Sequence, residues 1–150
     1  MNITETLTQP EIQILNEAIP AIAYLVGFAD GNFDEEEKVW ATRLAAIRSF
    51  SGDKMLRSFY ETVEQNHTVL CETIKAGLTN DISKNQVYLS EKIERVNPIL
   101  AKMDIKAAKH LHESYVTYAT QIARTTGGFL GMGAISGEEA RVIELSMIKF

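Results

Sequence analysis

The chain has little that would support covalent stapling or soft-metal binding: one cysteine in 150 residues, three prolines and three histidines. Cys71 has no intramolecular partner and no CxxC neighbour, and it falls on the apolar face of a helical pattern, so it reads as a small buried hydrophobe. No run of about 18 apolar residues occurs, and the N-terminal MNITETLTQPEIQ has neither a basic nor an apolar signal region. The expectation is a cytoplasmic protein without a membrane span. Basic residues are outnumbered, 15 Lys+Arg against 20 Asp+Glu for a net charge of -5, and they are scattered rather than stacked in a stripe. That distribution is poorly suited to neutralising phosphates and argues against nucleic acid as a partner. Convincing strand alternation is also missing. With 45% hydrophobic and 23% charged residues, the chain reads as one soluble domain over 1–150.

What is present is a 3.6-residue periodicity nearly throughout, which predicts an all-α domain of about seven helices. The first starts after Thr8, an N-cap with Pro10 in the first turn, and runs until Pro20 kinks or restarts it. A second, AIAYLVGFA, occupies about 20–29 and is apolar nearly all round, hence buried. A third opens at Asp34 and ends at Ser51-Gly52. The fourth is the clearest: Leu56, Phe59, Tyr60, Val63, His67, Leu70, Cys71, Ile74 and Leu78 step by three or four, giving one amphipathic helix of about 25 residues and the expected central pillar. After Thr79-Asn80-Asp81 a fifth helix uses Leu89, Ile93, Val96, Leu100 and Met103, interrupted near Asn97-Pro98. A sixth is capped by Asp104, buries Ala108, Leu111, Tyr115, Ala119, Ile122 and Ala123, and stops at Gly127-Gly128. The last spans about Ser136–Lys149 with Val142, Ile143 and Met147 inward. Short connections between amphipathic helices predict an antiparallel bundle.

One internal echo organises this bundle. GNFDEEEKVWA at 31–41 and GAISGEEARVI at 133–143 align without gaps, pairing Gly31 with Gly133, Phe33 with Ile135, Asp34 with Ser136 and Glu37 with Glu139. Each reads as a glycine reversal, an apolar residue, an Asp or Ser N-cap and a Glu completing a capping box. Two such helix-turn-helix units predict a pseudo-symmetric fold.

The first unit also carries the densest acidic stretch, ADGNFDEEE at 29–37. With Glu37 at position 12 of a calcium loop, Asp34 falls at 9, Gly31 at 6 and Asp30 at 5, but Val26 and Phe28 fall at 1 and 3 without side-chain oxygens, which excludes a standard EF-hand. Capping and the helix dipole account for Asp34 and Glu37. Asp30 lies at a helix C-terminus, where an acid is disfavoured, and needs a compensating group.

The stretch YLVGFADGNFDEEE, a buried helix ending in Ala-Asp-Gly followed by a hydrophobe and helix-opening acids, resembles the signature of the TerB-like family, named for a tellurite-resistance protein and found also at the N-terminus of a membrane-anchored DnaJ-type co-chaperone. The resemblance implies an all-helical pseudo-two-fold bundle, a stress-associated, non-enzymatic role with a protein partner, and a weak divalent-cation site for calcium or magnesium at Asp30, Asp34 and Glu37. The second unit departs from the pattern, with Met132 in the place of Asp30 and Gly137 in that of Glu35. The alternative is a metal-dependent enzyme using the same carboxylates, which needs ligands converging from several helices where one dense cluster is visible.

Other motifs carry less. His67, His110 and His112 include no HExxH and no pair at i, i+4, and read as structural or surface residues. GGFLGMG follows a helix instead of a strand and lacks the Lys-Ser/Thr of a phosphate loop, so it reads as a reversal or an apolar contact loop. No nucleophile elbow is present.

Overall fold

The computed structural model describes residues 5–27, 54–127 and 144–150. Among them the chain is all-helical, with no strand: α1 Gln9–Gly27, α2 Arg57–Gln65, α3 His67–Lys75, α4 Ile82–Glu94, α5 Asn97–Lys102 and α6 Ile105–Gly127. The expected third helix and the first part of the last lie outside the described residues, as do both copies of the echo.

α1 begins as the sequence indicates. Thr8 Oγ1 accepts from Glu11 N at 3.3 Å, and Glu11 Oε1 accepts from Thr8 N at 3.1 Å, which closes a capping box. The expected restart at Pro20 does not occur, since α1 runs through it to Gly27. An interior proline costs about 3 kcal/mol or more through the lost bond to the i−4 carbonyl. Burial offsets that cost here: every residue from Ala18 to Val26 is buried, leaving about two and a half turns with no solvent face.

This burial makes α1 the centre of the bundle, a place expected for the fourth helix. α2, α3, α4 and α6 all pack against α1. The fourth helix is itself two helices, α2 and α3, divided at Asn66 (φ −110°, ψ 11°). Asn66 Nδ2 donates to Thr62 O at 2.9 Å, the carbonyl that also receives Asn66 N at 3.1 Å, so the side chain competes for a backbone acceptor and bends the chain. The apolar face survives the break, with Phe59, Tyr60, Val63, His67, Leu70, Cys71 and Ile74 all buried.

The remaining boundaries follow local chemistry. Asp81 Oδ1 caps α4 by accepting from Lys84 N at 3.2 Å, and the buried Asn85 staples the preceding turn, accepting from Thr79 N at 2.7 Å and donating to Thr79 O at 2.8 Å. A methyl group at Gly77, in the α3–α4 turn, would overlap Cζ and the hydroxyl of Tyr88, so the ring would have to move off the Ile74 carbonyl to which it donates. The break before Asn97-Pro98 is present, with Pro98 in the first turn of α5, and Asp104 Oδ2 caps α6 through Lys106 N and Ala107 N.

The expected helix to Lys149 is not found over 144–150, which form turns, with Leu145 at φ 48°. Asn97 Nδ2 donates to Met147 O at 2.8 Å, and Lys149 N donates to Asn97 Oδ1 at 2.9 Å, so the Lys149 amide, which a helix would pair with the Leu145 carbonyl, is held by α5 instead. Leu145 and Ile148 enter the core.

Buried tyrosines and surface ion pairs tie the helices together. Tyr115 donates to the Leu15 carbonyl at 2.8 Å. Ser114 Oγ donates to Leu111 O, so Tyr60 must be the donor in its 2.8 Å bond to Ser114. Burial, and after it the nearby Tyr60, push the Tyr115 hydroxyl well above its ordinary pKa, so it stays a donor. Glu17 meets Lys92 at 3.7 Å, and Glu11 pairs with Lys102. Hydrogen bonds from Lys102 and then Thr8 hold the Glu11 carboxyl at about 2.

Two outcomes are expected. Urea unfolding of Ile22→Ala, at a fully buried α1 position, should show a loss of about 2–5 kcal/mol, whereas Val69→Ala, at 65% exposure, should stay within about 0.5 kcal/mol; similar losses at both would contradict a central α1. Glu11 has a depressed folded pKa, so its contribution is complete above the ordinary value of 4.5 and is lost as pH falls toward about 2. The melting-temperature gap between wild type and Glu11→Gln should therefore be full near about pH 6 and close on acidification, and a pH-independent gap would assign Glu11 a packing role instead.

Candidate functional site

Asp30, Asp34 and Glu37 all lie outside the described residues, as does the 133–143 stretch. α1 is described as far as Gly27, three residues before Asp30, and no basic residue lies in its last described turn. Val26, the position that would supply the first ligand of a calcium loop, is fully buried inside α1. Its side chain belongs to the core, in agreement with the exclusion of an EF-hand.

The other titratable groups do not converge. Among the described residues no three His, Cys, Asp or Glu side chains are placed to hold a metal ion. His67 and Cys71, one turn apart on α3, do meet, with Sγ 3.6 Å from Nδ1 and 3.8 Å from Nε2. Sequence inspection separated the two by role, although their i, i+4 spacing on one helix was the available signal. A thiol beside an imidazole is the elementary unit of a cysteine nucleophile. Here both are buried, at 4% and 5% exposure, so a substrate has no approach and the pair serves packing.

His112 lies half-buried on α6, its ring edge-on to Phe150 at 5.6 Å, and its Nε2 has no hydrogen-bond partner among the described residues. On α4 a shallow surface depression is lined by Ser83, Lys84, Val87, Tyr88 and Glu91, all from one helix, so it gathers no groups from different elements. No described helix is long and apolar enough to cross a membrane.

Cys71 provides a direct measure of this burial. A thiol-specific reagent should label it at least about a hundredfold more slowly in the native protein than in denaturant, with a rate that tracks local opening; labelling at the rate of a free thiol would show the α3 face to be open.

Comparison with family models, with curated proteins and with solved structures finds no match to this chain.

Proposed function

We propose that this chain is a non-enzymatic, stress-associated protein-interaction module of the TerB-like kind, cytoplasmic, with a weak divalent-cation site at Asp30, Asp34 and Glu37. The observation that carries the cation site is in the sequence: Asp30 comes three residues after Gly27, the last described residue of α1, with no basic side chain in the turn before it, and Asp34 to Glu37 add four carboxylates close behind. A hard cation supplies the missing positive charge. It would take oxygens from Asp30, Asp34 and Glu37 and keep several waters, so affinity falls in the range of incomplete sites, about 10⁻⁴–10⁻³ M. The interaction role is supported by the all-helical bundle and by the sequence resemblance at 24–37. A cation at the turn would act by setting the geometry of a surface that meets another protein.

Capping and metal binding make different demands on the same residues. Under this proposal calcium or magnesium raises the melting temperature of wild type with concentration, and calorimetry detects binding. Asp30→Asn abolishes that increment while leaving ion-free stability unchanged or slightly raised. Asp34→Ala lowers ion-free stability by about 0.5–2 kcal/mol whatever the ion. Absence of both heat and thermal shift at several millimolar calcium, magnesium, manganese or zinc would refute the cation site.

A further inference from the structure

Asn16 and Pro20 are the two residues of α1 that the interior of a buried helix disfavours most, and they stand four positions apart. Asn16 is 3% exposed, yet its side-chain Oδ1 has no hydrogen-bond partner among the described residues. A buried carboxamide oxygen without a donor is a standing cost to stability. Pro20, also buried, carries no N–H, and the carbonyl that a residue at 20 serves in an α-helix is that of Asn16. Both oxygens of one residue, Oδ1 and the main-chain O, thus lack their usual donors.

The side chains nearby along α1 do not supply them. Ile12, Ile19 and Ala23, which share the helix face of Asn16, are apolar. The adjacent Leu15 carbonyl receives the Tyr115 hydroxyl at 2.8 Å, and that hydroxyl has a single hydrogen, so it is committed and cannot also serve Asn16. Exchanging the oxygen and nitrogen of the carboxamide does not remove the need, since an amide would then stand unpartnered in the same place.

We propose that Asn16 and Pro20 form a binding site for one internal water molecule, which donates one hydrogen to Asn16 Oδ1 and the other to the Asn16 carbonyl left open by the proline. Two acceptors call for two hydrogens on one small atom, and the apolar face around them offers an ion no countercharge. The proline ring forces its i−4 carbonyl away from the helix ladder, which is how water enters one. Held at two points and enclosed by the bundle, this water is part of the structure and leaves only when α1 opens locally. The pairing accounts for a residue of low helix preference at a buried position: Asn16 supplies the second oxygen that anchors the water Pro20 requires. Neither the cation nor a protein partner bears on it.

In isotope-labelled wild-type protein, the Asn16 side-chain amide should show a nuclear Overhauser cross-peak to water with the sign of the protein's own tumbling, the mark of a water that outstays molecular rotation. Absence of that peak, or a peak to another side-chain donor in its place, overturns the proposal. Stability supplies an independent arm. Asn16→Leu strands the carbonyl while Pro20 is present and should lower the melting temperature by at least about 3 °C. In the Pro20→Ala background a restored N–H serves that carbonyl, so the same change removes only a buried polar group and should raise the melting temperature. A shift of the same sign and size in both backgrounds overturns the proposal as well. If either variant fails to melt cooperatively, the wild-type cross-peak decides.

Discussion

Nine consecutive residues of α1, Ala18 to Val26, have no face toward water, and the other helices are arranged to satisfy that constraint. A helix apolar on one stripe needs one partner, whereas a helix apolar all round needs several. α2, α3, α4 and α6 provide them, and the polar ties run to the same helix: Tyr115 to the Leu15 carbonyl, Lys92 to Glu17 and Lys102 to Glu11. Of the ion-paired groups Lys102 is exposed and the other three are half-buried, and pairs this near the surface contribute little individually. Their value lies in orientation, since each fixes where along α1 a covering helix sits. Pro20 is tolerated for the same reason: a helix enclosed on all sides cannot exchange its geometry for a break without emptying the core around it.

The apolar faces were legible from spacing alone. The apolar stripes of α2–α3 (Phe59, Tyr60, Val63, Leu70, Ile74) and α6 (Ala108, Leu111, Tyr115, Ala119, Ile122) are buried as their periodicity indicates. The caps at Thr8 and Asp104 follow from one polar residue in the right place, while Asp81, read only as part of a turn, also caps α4. The break before Asn97-Pro98 was legible from its proline, whereas the other departures were not, and each has an identifiable cause. Periodicity reports which side faces inward, and the face is conserved across Asn66 even though a side-chain amide there competes for the Thr62 carbonyl. Pro20 carries a strong local signal to stop, which tertiary burial overrides. The C-terminal turns depend on Asn97, which is 50 residues away from Met147 in sequence. No local pattern can report a partner at that distance.

The candidate site divides along the same line. The local chemistry of ADGNFDEEE is readable: caps, a dipole, and one carboxylate in an unfavourable place. The described structure adds the burial of Val26 in α1, which removes the first ligand position of a calcium loop. Whether three carboxylates converge is a matter of backbone reversal between two helices, and spacing along a chain does not encode it. The His67–Cys71 contact shows the opposite case, in which spacing did place two reactive groups together and burial, a tertiary property, removed their chemistry.

α1 is anchored at its first turn as well as along its length. α5 reaches it through the pair of Lys102 with Glu11, and Asn97 of α5 in turn holds the Met147 carbonyl and the Lys149 amide. Sliding or rotating α1 would move every side chain from Ala18 to Val26 against four neighbours at once, and close-packed interiors resist such shifts. Any change of arrangement in this bundle must therefore begin in the helices that cover α1, with α1 itself as the fixed frame.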